Sequence, residues 1–392
     1  MPDTSTYPLS PEQEALRARA RELADARFAE RAARWDASEE YPWDNVKDLV
    51  AAGFMGMTVP AAHGGGERPL LDVVLVIEEI ARACGVTARI VVEGNLGTVG
   101  ALVAYGTEAQ KRRYFPWVLE GDKPAIAITE VEAGSAATDM ATRAEETASG
   151  LRLTGHKRYI TGAGTSRLYL VYARFGERAG AAGIGGVFVE RDTPGFRVGR
   201  REYMMGLRGI PEGELHFEGC EVPRANLLVG PGDGFKKLMQ AYNGQRLGAA
   251  TVALGLAQGA WERALAYAGE RRQFGRAIGD FQGIRWKLAD MAIKLDAARL
   301  LIHRAAVRAG RGFPDPLDSA KAKTFAAEVA QEITSQALQI HGAAGYGRTL
   351  PLERMARDAR MFAIGGGTVE MMRNLIADRI LPTRSNWRTS SS

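Results

Sequence analysis

The apolar residues of this 392-residue chain change their spacing twice along its length, and that switch limits the fold more than any other feature. Up to about residue 120, and again from Phe235 onward, they recur at helical intervals. Between about Pro124 and Gly230 they sit in short β-branched or alternating runs separated by Gly, Pro and Asp. A chain patterned this way folds as helices, then strands, then helices. The expectation is an α+β multidomain protein with an N-terminal helical domain over 1–122, a central antiparallel β-barrel or sandwich over 123–232, and a C-terminal bundle of four or five long helices over 233–392.

Start and stop signals sharpen this plan. Ser10-Pro11-Glu12-Gln13 reads as a capping box with proline at the first helical position, opening a helix to about Arg34. Further helices are predicted over 44–52, stopped by Gly53, over 70–84, with Glu78 and Glu79 facing away from the apolar side, and over 96–105 and 108–119. Strands are expected near 125–129, 151–153, 168–173, 186–189 and 214–217. Helices resume over about 235–272, 281–309, 318–341, 352–362 and 368–380.

Several function classes recede. Glycines 342, 345 and 347 follow a helix and glycines 183, 185 and 186 precede a strand, so neither run is a dinucleotide fingerprint, and no phosphate loop is present. The five histidines are scattered without an i, i+4 pair, so no protein metal site is expected. Cys84 and Cys220 are too few for a disulfide framework and read as buried small residues. The net charge of +5 is spread along the chain rather than gathered into a stripe, which argues against nucleic acid and leaves some cations for an anionic cofactor or thioester. Met1 to Ser10 has no basic region followed by an apolar stretch, and no later run reaches the roughly 18 apolar residues of a spanning helix. The expectation is a soluble, cytoplasmic protein with no membrane partner.

Six segments in order then carry a resemblance. Residues 127–135, AITEVEAGS, 153–161, LTGHKRYIT, 205–209, MGLRG, 271–275, RRQFG, with Phe281-Gln282, 339–346, and Glu353-Arg354 with Arg357-Asp358 together resemble the acyl-CoA dehydrogenase family over nearly the whole chain. Val131 stands where that family usually has proline. The resemblance implies bound FAD, with Ile128, Thr129, Gly134, Ser135, Tyr159, Thr161 and Thr368 at the flavin side. It also implies that Arg271, Gln273, Phe274, Gln282, Gln339 and Gly342 come from a neighbouring subunit, and hence an obligate oligomer, expected to be a homotetramer. Ser135, Phe235, Met239 and Arg246 fall where the family holds its acyl-CoA.

One departure matters most. The family's catalytic glutamate lies in a segment that here reads Ile364-Gly365-Gly366-Gly367-Thr368, and the alternative location before Arg246 is Gln245. Glycine has no side chain and an amide is no base at neutral pH. Losing a positioned general base costs about 10²- to 10⁴-fold, so the chain reads as a poor dehydrogenase unless another carboxylate, Glu93 or Glu370, reaches the site.

A second departure is Arg89, in the apolar stretch 87–92, where a cation needs an anion: Glu93 at i+4, or an anionic group on the acyl tail. Glycine at 366, Gln245 and Arg89 together are similar to the 3-sulfinopropionyl-CoA desulfinase branch, which implies hydrolysis of 3-sulfinopropionyl-CoA with Arg89, Gln245 and Gly366 at the reacting centre. A dehydrogenase with a displaced base and a non-catalytic flavoprotein of the same fold are the competing readings.

Overall fold

The computed structural model describes residues 8–382; the first seven residues and the Ser-rich end lie outside them. The box at Ser10 forms as read: its Oγ accepts from Gln13 N at 3.2 Å while Gln13 Oε1 accepts from Ser10 N at 3.1 Å. The helix it opens, α1 (Pro11–Leu23), passes through a π-turn (Ala24–Phe28) into α2 (Ala29–Ser38). Next come α3 (Trp43–Ala51), α4 (Leu70–Ala81), α5 (Gly85–Glu93), α6 (Thr98–Tyr105) and α7 (Glu108–Leu119).

Glu78 and Glu79 correct the expectation for α4. Every residue of that helix is buried, because α1, α5, α8 (Gly234–Glu270) and α9 (Gln282–Ala309) all pack around it. The two carboxylates are therefore paired instead of solvated: Arg299 Nε donates to Glu78 Oε1 at 2.9 Å and Arg21 Nε to Glu79 Oε2 at 2.8 Å. Arg299, though burial opposes it, and His303 hold the Glu78 carboxyl down at about 2. The stretch 85–105 also reaches the length and hydropathy of a spanning helix, contrary to the sequence expectation. It is two helices, α5 and α6, with 89% of the apolar window inside the protein, so it is core.

The middle of the chain forms one eight-stranded sheet from β1 (Ala125–Ala127), β2 (Arg143–Glu146), β3 (Gly150–Thr161), β4 (Leu168–Phe175), β5 (Ile184–Glu190), β6 (Phe196–Glu202), β7 (Glu212–Pro223) and β8 (Leu227–Val229). Its order is β6-β7-β3-β2-β4-β5-β8, with β1 alongside β4. All pairings are antiparallel except β1–β4 and β2–β4, which are parallel. Strands β2, β6 and β8 escaped the sequence reading: β2 and β6 are polar and largely solvated, and β8 has three residues.

The 37-residue α8 then runs through the molecule and packs on α4, α5, α9 and α10 (Pro316–His341). A short hairpin, β9 (Arg272–Gln273) and β10 (Arg276–Ala277), separates α8 from α9. The chain closes with α11 (Ala343–Tyr346), α12 (Leu352–Arg360) and α13 (Val369–Ile380). Two of the recognised motifs act as joints here. Arg357 grips Asp36 on α2 at 2.6 and 2.9 Å, while Asp358 accepts from Leu207 N at 2.6 Å, tying α12 to both the first helices and the sheet.

Candidate active site

Three buried charges define the centre. Arg89 on α5 donates from Nη2 to Glu93 Oε1 at 2.7 Å, and Lys123, just before β1, donates to Glu93 Oε2 at 2.5 Å. The i, i+4 pair anticipated from spacing therefore forms. It does not exhaust the site, because two cations share one carboxylate and Arg89 Nε is buried with no hydrogen-bond partner. Although burial alone would raise it, Lys123 and Arg89 hold the Glu93 carboxyl below its usual value, leaving it an ionised partner of two cations.

A fourth group was not singled out from the sequence. Glu212, at the start of β7, accepts from Thr161 Oγ1 at 2.7 Å. Burial pushes its carboxyl from 4.5 up to about 7, against the pull of the Thr161 hydroxyl and of Arg89. No periodicity marks such a residue. Only the pairing of β7 with β3, which sets Glu212 opposite Thr161, brings it here.

The other side of the site is built from α8 and the loop before α13. Gln245 is buried, its Oε1 has no partner, and it lies against Gly97: a Cβ at Gly97 would sit 2.7 Å from that oxygen. Arg246 Nε donates to Gly366 O at 3.1 Å, its Nη1 to Asn243 Oδ1 at 2.9 Å, and Lys323 Nζ to Gly367 O. These cations hold a loop in which Gly366 (φ +77) and Gly367 (φ +92) are both left-handed. A Cβ at Gly366 would meet only Arg246 Cγ, at 4.0 Å, so the position is open. Glu370 is exposed in the first turn of α13, beside the capping Thr368. Phe235 and Met239 are half-buried against the sheet-side core.

The residues expected to hold FAD fall into two sets. On the sheet side, Lys157 Nζ donates to Ile128 O at 2.9 Å and Thr129 O accepts from Arg158 N at 2.9 Å; Gly134 and Ser135 are exposed, and Tyr159 (φ +57) presents a half-exposed ring. The loop carrying this set is clamped from beneath. Glu130 accepts from Ala141 N, Thr142 N and the fully buried Lys157, at 2.6, 3.0 and 2.7 Å.

Removing one partner of a buried pair leaves an uncompensated charge, so Lys157→Ala should destabilise the protein by about 3–5 kcal/mol and release bound flavin. Denaturant unfolding with flavin fluorescence checks this; an unchanged midpoint would refute it.

The second set lies at the far end of the bundle. Arg271 ends α8 and leads into the hairpin carrying Gln273 and Phe274, Gln282 opens α9, and Gln339 and Gly342 end α10, whose His341 stacks on Tyr267 of α8 at 4.2 Å. The side chains of Thr129, Ser135, Arg271, Gln282 and Gln339 make no hydrogen bond among the described residues, and all but the half-buried Thr129 are exposed. A cation, amides and hydroxyls without partners suit a flavin with a pyrophosphate, so both sets fit FAD chemically.

Three family models cover most of the chain: the acyl-CoA dehydrogenase N-terminal domain over residues 10–122, the middle domain over 125–220 and the C-terminal domain over 232–381. A 3-sulfinopropanoyl-CoA desulfinase of Cupriavidus necator is 50% identical over 381 residues, covering 96% of each chain. Among solved structures, butyryl-CoA dehydrogenase from Megasphaera elsdenii superposes with a TM-score of 0.92 at 32% identity, covering 96% of this chain and all of that one. A glutaryl-CoA dehydrogenase in complex with glutaryl-CoA superposes with a TM-score of 0.90 at 32% identity over 97% and 98% of the two chains.

Proposed function

The chain belongs to the acyl-CoA dehydrogenase family, and from that premise we propose that it is an FAD-containing acyl-CoA desulfinase, hydrolysing 3-sulfinopropionyl-CoA to propionyl-CoA and sulfite with no net redox change. The observation that carries this reading is Arg89: a buried guanidinium that shares the carboxylate it bonds, Glu93, with Lys123 and keeps an Nε unpartnered among the described residues. Such a site has a positive charge in excess, and a sulfinate on the acyl tail matches it in charge and in bidentate geometry.

The reaction balances without an electron acceptor. Water gives its hydroxyl to sulfur, the C–S bond breaks, and a proton goes to carbon, yielding the propionyl group and hydrogen sulfite. Arg89 orients the sulfinate, Gln245 with its unpartnered Oε1 positions the water, and the open space beside Gly366 admits it. Glu212, with a carboxyl that titrates near neutrality, serves as the proton reservoir. Ser135, Phe235, Met239 and Arg246 hold the rest of the thioester. FAD, held by the two sets of residues above together with Thr368, supplies the family's redox capacity but is not consumed.

We further infer that the site is shared between subunits. Arg246, which holds the loop leading to Thr368 of the first set, and Arg271 of the second lie about 37 Å apart along the axis of α8. One extended dinucleotide does not span that distance, so each set serves a different FAD, and the protein is a homotetramer or another closed oligomer. Phe274 (92% exposed), Tyr346 (80%) and Trp286 (62%) give the hairpin end the apolar surface a partner would cover.

Turnover of matched sulfinate and carboxylate thioesters, scored by sulfite release for the first and by flavin reduction for both, tests the function: the 3-sulfinopropionyl thioester should release sulfite with the flavin still oxidised and succinyl-CoA should leave the flavin oxidised, whereas no sulfite, or flavin reduction by either thioester, would sink the reading. A pH profile tests Glu212. Its folded pKa is raised, so the neutral form, and the stability that form contributes, is complete below 4.5 and is lost as pH rises through about 7. Turnover should fall over the same limb, and Glu212→Gln should remove it; a limb retained in that variant would exclude Glu212.

A further inference from the structure

We propose that His156, His216 and Glu214 form a binding site for a zinc ion on the face of the sheet, where β3 and β7 pair. The scattered histidines of the sequence are gathered by strand register. His156 and His216 are direct cross-strand partners, and Glu214 lies two residues before His216, on the same face. The imidazoles stack at 4.3 Å with 8° between their planes.

Glu214 Oε2 stands 3.5 Å from His216 Nε2 and 3.8 Å from His156 Nε2, and the three atoms lie within 4.8 Å of one another. Two ligands on a tetrahedral zinc, with bonds of about 2.0–2.2 Å, sit roughly 3.4 Å apart. Glu214 is within a few tenths of an ångström of that distance from each imidazole, and the two imidazole nitrogens, no more than 4.8 Å apart, would close by up to about 1.4 Å as the stacked rings turn toward each other. The two side chains are 36% and 23% exposed, which leaves them room for that turn.

Three further observations point to a ligand. His156 Nε2 is buried with no hydrogen-bond partner, so a nitrogen aimed at Glu214 has nothing to bind. On β6, the next strand, residue 199 is glycine: a Cβ there would lie 2.4 Å from His216 Nε2 and 2.9 Å from Glu214 Cβ, so the space beside these ligands exists only without a side chain. The neighbouring cations are committed elsewhere. Arg158 Nε donates to Glu202 at 2.9 Å and only approaches Glu214 Oε1, at 3.9 Å, while Arg200 Nη2 also bonds Glu202. Arg200 N reaches Glu214 Oε2 at 3.4 Å, one weak hydrogen bond that does not close the site.

Two histidines and one glutamate leave a coordination position for water. None of the three residues belongs to the flavin or acyl site.

The test uses the flavin-loaded protein stripped with EDTA. Titration calorimetry should show one Zn²⁺ per chain with a Kd at or below about 10 µM, and Co²⁺ should give the visible absorption of a four- or five-coordinate site. His156→Asn with His216→Asn should weaken binding at least about 100-fold while leaving the metal-free unfolding midpoint in place. Gly199→Ala, whose Cβ would displace the His216 ring, should also weaken binding, with some loss of metal-free stability. Absence of binding up to about 100 µM, or equal binding in the double variant, would overturn the site.

Discussion

Arg89→Ala should lower sulfite release by about 10²- to 10⁴-fold while the purified protein remains yellow with flavin. The size follows from what the substitution removes. With Arg89 absent, Glu93 keeps Lys123 at 2.5 Å, so the site carboxylate stays paired and the fold has no new orphan charge. The positive excess disappears, and a sulfinate entering the site would be buried beside a lysine already committed to Glu93. An unpaired buried charge costs about 3–5 kcal/mol, which in rate is that same 10²- to 10⁴-fold. Arg89→Lys restores charge but not the planar fork and should recover part of the activity. Turnover within about tenfold of wild type in Arg89→Ala would remove Arg89 from the mechanism.

A second substitution should add an activity. Gly366→Glu places a carboxylate where the family resemblance locates the dehydrogenase base. A Cβ at that position meets only Arg246 Cγ at 4.0 Å, so there is room. The left-handed φ of +77 costs a non-glycine residue about 1–2 kcal/mol, which a domain of this size tolerates. Anaerobic flavin bleaching by propionyl-CoA should then run about 10²- to 10⁴-fold faster than in the wild type, the usual worth of a positioned base. An unchanged bleaching rate would mean that the missing carboxylate does not explain the absence of dehydrogenation.

The helix–sheet–helix order was legible because the long helices α8, α9 and α10 each carry many turns of apolar spacing. The motifs at 127–135 and 153–161 carried the family resemblance that the three family models bear out. Other features had no local signal. Glu78 and Glu79 were misplaced because the helix that carries them is enclosed on all sides, a property of its neighbours rather than of its own pattern. Arg89 and Glu93 were readable as an i, i+4 pair, but Lys123, which changes the charge count, is brought in from 30 residues away. Glu212 and the His156–His216 pair depend on the register between β3 and β7, which no spacing along one strand reveals. The stretch 85–105 has the length and hydropathy of a membrane span although no unbroken apolar run marks it, and it is core.

The central claim is that this family member breaks a carbon–sulfur bond without using its flavin as an oxidant. Mixing the protein anaerobically with excess 3-sulfinopropionyl-CoA, with no electron acceptor, tests it directly. Sulfite and propionyl-CoA should appear in equal amounts over many turnovers while the flavin spectrum stays oxidised. Flavin bleaching with an unsaturated thioester as product and no sulfite would contradict the account and identify a dehydrogenase whose base has moved.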